Sequence, residues 1–209
     1  MDIEYKGANC VTISTKKVNI TVDARLSAVG LKDITPKEAI AIATQTDFTV
    51  KHDGDVVVVD QPGEYEVRDI SITGVSAKRL IDHDDSKQAT MYRVTLNDIT
   101  FAIVGHVASP LTEEQLETLG VIDVAIVPVG GNGYTLDAHQ AVEVVRQLDP
   151  KVVIPTHYAD KAINYEVPQM ELEPFIKELG AEHETMATWK IKNGLIPEVL
   201  TVIELTRTA

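Results

Sequence analysis

Pro150-Lys151-Val152-Val153-Ile154-Pro155-Thr156-His157-Tyr158 is the stretch on which the fold turns. Its centre is a short apolar run rich in β-branched residues, too brief for a helix and suited to a strand covered on both faces. Asp149-Pro150 stops what comes before, because proline cannot continue a helix and restricts the residue that precedes it. What comes before is a helix, in which Ala141, Val142, Val145 and Leu148 recur at helical spacing behind Thr135-Leu136-Asp137-Ala138. Upstream of it, Asp123-Val124-Ala125-Ile126-Val127-Pro128-Val129-Gly130-Gly131 holds another buried strand. The unit is strand, helix, strand, with a histidine just past the second strand.

Reading outward, Leu111-Thr112-Glu113-Glu114-Gln115-Leu116 opens a short helix with a capping-box pattern, and Gly120 ends it. Residues 168–180 predict a third helix with Met170, Phe175, Ile176 and Leu179 on its apolar side, and two late strands close the chain. The first 75 residues are different: short β-branched runs at 3–5, 10–14, 18–22, 40–43, 56–59 and 70–74 predict strands. Lys51-His52-Asp53-Gly54-Asp55 interrupts them with a tight-turn signature. Runs at 92–96 and 100–104 flank Asn97-Asp98 as a hairpin, and the acidic stretch 80–88, with Asp82-His83-Asp84-Asp85, reads as a mobile loop. Sheet comes first and strand–helix units later, with no Gly/Ser-rich or Pro-rich hinge. That order predicts an α+β fold of layered sheets covered by helices, organised as one domain over 1–209.

A net charge of −13 argues against nucleic acid as a partner, since phosphate binding rests on Lys and Arg. Cys10 is the only cysteine, which excludes an internal disulfide and a cysteine-rich zinc site. The start, Met1-Asp2-Ile3-Glu4, is acidic where a signal peptide is basic, and no run approaches membrane-span length, so a cytoplasmic location is the default.

Several phrases, taken in order, resemble the metallo-β-lactamase superfamily, especially its small bacterial branch similar to the ascorbate-phosphate lactonases. They are Ile3-Glu4-Tyr5-Lys6-Gly7-Ala8-Asn9-Cys10, Thr21-Val22-Asp23, Pro62-Gly63-Glu64-Tyr65-Glu66-Val67, and the two strand phrases ending at Gly131 and Tyr158. The resemblance implies a four-layer αββα sandwich whose loops gather a site at one edge. It also implies hydrolysis with one or two metal ions held by a His-x-His-x-Asp-His loop, an Asp in a Gly-Asp phrase, and a His near Pro-x-His.

Laid onto this chain, that ligand set is largely replaced. The metal loop falls on Thr44-Gln45-Thr46-Asp47-Phe48-Thr49-Val50, so its ligand positions become Gln45, Asp47, Thr49 and Val50. The Gly-Asp phrase becomes Gly105-His106, Ala8-Asn9 removes a further histidine, and His157 alone survives. The implied reading is a binding or assembly protein without the dinuclear hydrolase chemistry and with no cofactor. Its partner would be a small molecule or a protein, a second copy of the chain included. Ala8, Gln45, Thr49 and Val50 are then expected as degenerate positions lining the old pocket. The alternative is a mononuclear hydrolase of a small ester, lactone or phosphate, with zinc, manganese or iron on Asp47, His106 and His157. Gly130-Gly131-Asn132 is a candidate anion-binding loop ahead of a helix, or a plain strand-to-helix turn. Cys10 reads as buried packing, and no serine sits in a nucleophile-elbow context.

Overall fold

The computed structural model describes residues 1–35, 39–52, 54–81, 88–192 and 194–208. The first strands are β1 (Asp2–Gly7), β2 (Cys10–Ser14), β3 (Asn19–Val22), β4 (Ile40–Ile42), β5 (Val57–Val59), β6 (Gly63–Val67) and β7 (Ile70–Lys78). Then follow β8 (Gln88–Leu96), β9 (Ile99–Ile103), α1 (Glu113–Leu119), β10 (Val124–Pro128), α2 (Ala138–Leu148) and β11 (Val152–Thr156). The chain closes with α3 (Glu173–Leu179), β12 (Glu182–Met186), β13 (Trp189–Lys190) and β14 (Thr201–Leu205). A six-stranded sheet has the order β13-β1-β2-β3-β4-β5, and an eight-stranded sheet the order β12-β14-β11-β10-β9-β8-β7-β6.

The two sheets face one another across a shared core: Ile3, Tyr5, Ile13, Ile20 and Ile42 from one meet Ile72, Tyr92, Phe101, Ile126 and Ile154 from the other. On the opposite face of the larger sheet, Ala125, Val127 and Val153 pack with Val142 and Val145 of α2 and Phe175 of α3. This double burial explains the unbroken apolar runs. In β10, Val124 and Ile126 point to the sheet–sheet core, and Ala125 and Val127 to the helices. Each such Val or Ile side chain contributes about 1.5–3 kcal/mol on leaving water. Outside the smaller sheet, Ala8 and Cys10 are covered by Leu26, Val29, Leu31 and Ile34 of the segment after β3. The architecture is the α+β sandwich that the sequence predicts.

Local signals hold where they are short-range. Both capping boxes form: Thr112 with Gln115 on α1, and Asp137 with Gln140 on α2. Other expectations need correction. Gly63–Val67 is a strand, although its acidic alternation lacks the β-branched signature; it lies at the sheet edge, where charge and exposure are tolerated. The last helix starts at Glu173, not at 168, and Met170 is 48% exposed rather than apolar packing. Residues around Met170 are tied to neighbouring loops instead, the Met170 amide donating to the Gly130 carbonyl (2.6 Å) and Ala159 N–H to Met170 O (2.9 Å). Three late strands form rather than two, the two-residue β13 pairing with β1. Residues 82–87 of the acidic loop, and Asp53, lie outside the described residues. No helix among the described residues is long and apolar enough to cross a membrane.

Candidate active site

The site forms where the C-terminal ends of parallel strands from both sheets converge, the usual position of ligand clefts in such layers. Asp23 follows β3, Thr44 and Gln45 follow β4, His106 follows β9, Gly130 follows β10, and His157 follows β11. Between them lies a cavity of about 540 Å³ counted to its open mouth. His106, His157, Asp23 and Asn9 form part of its lining, together with the rings of Phe48, Tyr134 and Tyr165, while Arg25 and Glu166 contribute its exposed or half-exposed charges.

The two histidines define the chemistry. Their rings stand 4.8 Å apart and perpendicular, with Tyr134 5.2 Å from the His106 ring and Tyr165 4.7 Å from that of His157. His106 is 96% removed from solvent, and neither of its ring nitrogens has a hydrogen-bond partner. Leaving such a group buried and unpaired costs about 1–3 kcal/mol. Burial, reinforced by the neighbouring His157 and by Arg79, holds the His106 pKa well below its ordinary value. Burial likewise brings His157 down to about 4, against the contrary pull of Gln169. Both rings are therefore neutral at pH 7, the form in which imidazole binds metals.

The backbone under them is strained. His157 sits at φ 55°, Ala8 at 47° and Asp23 at 44°, all in the left-handed region that non-glycine residues rarely occupy. A hydrogen bond from His157 N–H to Ala8 O (2.7 Å) ties the end of β11 to the β1–β2 turn. Such strain gathers at functional positions because surrounding contacts over-determine it.

Asp23 organises the floor. Its Oδ2 accepts from Asn9 Nδ2 (2.7 Å) and Thr44 Oγ1 (2.8 Å), and its Oδ1 from the Thr44 amide (2.7 Å). Asn9 Oδ1 in turn accepts from Thr156 Oγ1 (2.7 Å), which links the two sheets. Burial outweighs these donors and pushes the Asp23 carboxyl up from 3.8 to about 6. A folded-state pKa raised in this way contributes stability that is fully present below about 3.8 and lost as pH rises through about 6. The contribution lost is on the order of 3 kcal/mol, from roughly 2 units at about 1.4 kcal/mol each. Urea unfolding of the metal-free protein between pH 4 and 7 should show this slope, and Asp23→Asn should flatten it; an unchanged slope would assign it to another group.

The predicted site residues divide. His106, His157 and Ala8 come together at the cavity. Asp47 does not: it is exposed on a 3-10 turn at Thr46–Phe48, and its carbonyl accepts from Arg25 Nη1. Among the described residues no three His, Cys, Asp or Glu side chains form a metal-holding group, so the set Asp47, His106 and His157 is not assembled. Gln45, Thr49 and Val50 also lie outside the lining; the one member of that loop to reach it is Phe48. Gly131 and Asn132 are engaged internally: Gly131 N–H donates to Thr135 Oγ1 and to Leu136 O, and Asn132 Nδ2 donates to Pro168 O. Gly130 has a packing reason, since a Cβ there would fall 2.1 Å from His157 O and 2.3 Å from Gln169 Oε1. His139 is exposed and pairs with Glu178, and Asp137 caps α2. The sequence reading missed Asn9, Asp23, Tyr165, Glu166 and Gln169 as site residues. A plain alternation of turn and polar residues carries no local signal for a role set by distant partners.

A family profile described as the beta-lactamase superfamily domain matches residues 2–157. Two curated relatives are named metal-dependent hydrolases. That of Nanoarchaeum equitans is 39% identical over 56 residues, 25% of this chain and 26% of the relative. That of Pyrococcus horikoshii is 38% identical over 69 residues, 32% of this chain and 30% of the relative. The matched segments thus span less than a third of these relatives' lengths. The expectation of a protein with no cofactor is corrected by these relatives, whose names carry a metal dependence. Among solved structures, one from Thermotoga maritima, described as a Zn-dependent hydrolase of the metallo-β-lactamase superfamily, superposes with a TM-score of 0.78 at 23% identity, covering 98% of this chain and 100% of that one. The isothiocyanate hydrolase from Delia radicum gut bacteria superposes with a TM-score of 0.59 at 14% identity, covering 86% and 93%. At such identities the likeness concerns the fold. With the profile covering most of the chain and the sandwich in place, the chain belongs to the metallo-β-lactamase superfamily.

Proposed function

We propose that the chain is a single-domain, metal-dependent hydrolase of a small ester, lactone or phosphate, with one divalent ion held by His106 and His157. The observation that carries this reading is the His106 imidazole, buried with both nitrogens unpartnered beside a second neutral imidazole. Two nitrogen donors suit zinc, manganese or iron and leave the other coordination positions to water and substrate. The residues do not fit two ions, because Gln45, Thr49 and Val50 contribute nothing to the cavity. When bound, such an ion polarises a carbonyl or phosphoryl oxygen and acidifies water near neutral pH.

The protein's own residues restrict what enters. Phe48, Tyr134 and Tyr165 wall the cavity with rings, which limits its occupant to a small molecule and keeps the imidazoles dry. Asp23 has its oxygens committed to Asn9 and Thr44, so it holds the floor in place rather than taking up a substrate proton. The names of the curated relatives support metal dependence.

A second reading, in which the cavity holds a small molecule without turning it over, is favoured by the absence of any carboxylate from the first metal loop in the lining. Metal titration followed by a panel of small esters, lactones and phosphodiesters separates the two. About one equivalent of zinc, manganese or iron per chain with metal-dependent turnover supports the hydrolase. Failure to bind metal at saturation overturns it, and stoichiometric metal without turnover on any substrate class favours the second reading.

A further inference from the structure

We propose that Thr135 and Gln169 are positioning residues that fix the tautomer of His157, placing its proton on Nδ1 and leaving Nε2 with a free lone pair. The argument is proton bookkeeping along a chain of hydrogen bonds. The Gly131 amide can only donate, and it donates to Thr135 Oγ1 at 2.8 Å. The single hydroxyl proton of Thr135 is then directed at Gln169 Oε1, 3.0 Å away. The other end of that amide is committed as well, Gln169 Nε2 donating to Val167 O at 2.7 Å, so the atom facing Thr135 and His157 is the oxygen. A carboxamide oxygen has lone pairs and no proton. His157 Nδ1, 3.2 Å from the same oxygen, must therefore carry the hydrogen. The remaining nitrogen, Nε2, belongs to a ring that lines the cavity.

The surroundings leave this arrangement little freedom. Thr135 is fully buried, and His157 is 97% removed from solvent. The His157 amide is anchored on Ala8 O, and the Met170 amide, next in chain to Gln169, on Gly130 O. Gly130 admits the carboxamide only because it lacks a side chain, its Cβ position lying 2.3 Å from Gln169 Oε1. The relay thus joins the turn after β10, the segment before α3 and the end of β11. Partners on the second nitrogen are the usual means by which a protein orients a ligating imidazole, and their loss typically costs 10–100-fold in metal affinity. That consequence rests on the metal reading above; the tautomer itself does not.

Long-range proton–nitrogen correlation spectra of the metal-free, nitrogen-labelled protein test the tautomer directly, with the His157 signals assigned by their absence from His157→Gln. The expected wild-type pattern is that of a neutral ring protonated on Nδ1. Gln169→Leu should mix the two tautomers and weaken zinc binding about 10–100-fold. Gln169→Glu, which keeps an acceptor oxygen, should retain the Nδ1–H pattern. Thr135→Val removes the hydroxyl with little change of shape and should shift the populations in the direction of Gln169→Leu, giving a second measurement should Gln169→Leu fold poorly. A wild-type ring protonated on Nε2, or populations unmoved by both Gln169→Leu and Thr135→Val, would overturn the relay. If wild-type protein shows the Nδ1–H pattern yet takes up no zinc, the relay stands and the metal-dependent reading fails.

Discussion

Alanine in place of His157 abolishes stoichiometric metal binding and lowers metal-dependent hydrolysis by at least about a hundredfold. The chain supplies two imidazoles at the cavity and, among its described residues, no carboxylate or thiolate that joins them in a three-ligand group. Removing one therefore leaves a single protein donor, too few to compete with water. His106→Ala should have the same effect on metal, with a smaller cost in stability. His106 is buried with two unpartnered nitrogens, so in metal-free protein its loss relieves an unpaired polar group and offsets part of the roughly 2–5 kcal/mol that truncation of a buried side chain costs. His157 is hydrogen-bonded to Gln169, so its removal orphans a partner and should destabilise more. Calorimetric zinc titration and urea unfolding of both variants separate the effects. Retention of one equivalent of zinc by either variant would refute the two-imidazole site.

The other large effect belongs to a residue with no chemistry. Gly130→Ala should destabilise the fold by about 3 kcal/mol or more, at the upper end of what overpacking costs. The new methyl would fall 2.1 Å from the His157 carbonyl and 2.3 Å from Gln169 Oε1. Neither neighbour yields easily: the carbonyl belongs to a residue whose amide is bonded to Ala8, and the carboxamide is held from both ends. Gly133→Ala, three residues on, is the control. A Cβ there meets nothing within 4 Å, so only its φ of 75° opposes the change, at about 1 kcal/mol. Urea unfolding midpoints should separate the variants clearly. Comparable losses in the two would show that the packing argument at Gly130 is wrong.

Much of the architecture was legible in one dimension. The apolar runs around Val124–Pro128 and Val152–Thr156 read as strands covered on both faces, and they lie in the parallel part of the larger, mixed sheet, doing that. Thr112 with Gln115, and Asp137 with Gln140, announced helix starts because the contacts involved span three residues. His157 was legible because it ends a strand phrase that resembles the family's Pro-x-His. Gly63–Val67 and the late start of α3 were not legible: one is an edge strand with a polar sequence, and the other is delayed by a tertiary hydrogen bond from Met170 to Gly130.

The site divides along the same line. The ordered phrases of the chain, with the family they resemble, established the sandwich, the replacement of the metal loop's ligands at Gln45, Thr49 and Val50, and the survival of a histidine past β11. Folding in three dimensions settled the rest: Asp47 turned outward, Asp23 buried under three donors, and Gln169 set against His157. The physical reason is distance along the chain. Periodicity and capping depend on neighbours a few residues apart, whereas the cavity depends on pairs such as Thr156 with Asn9, separated by 147 positions. Only the packing of one sheet on the other brings such pairs within reach.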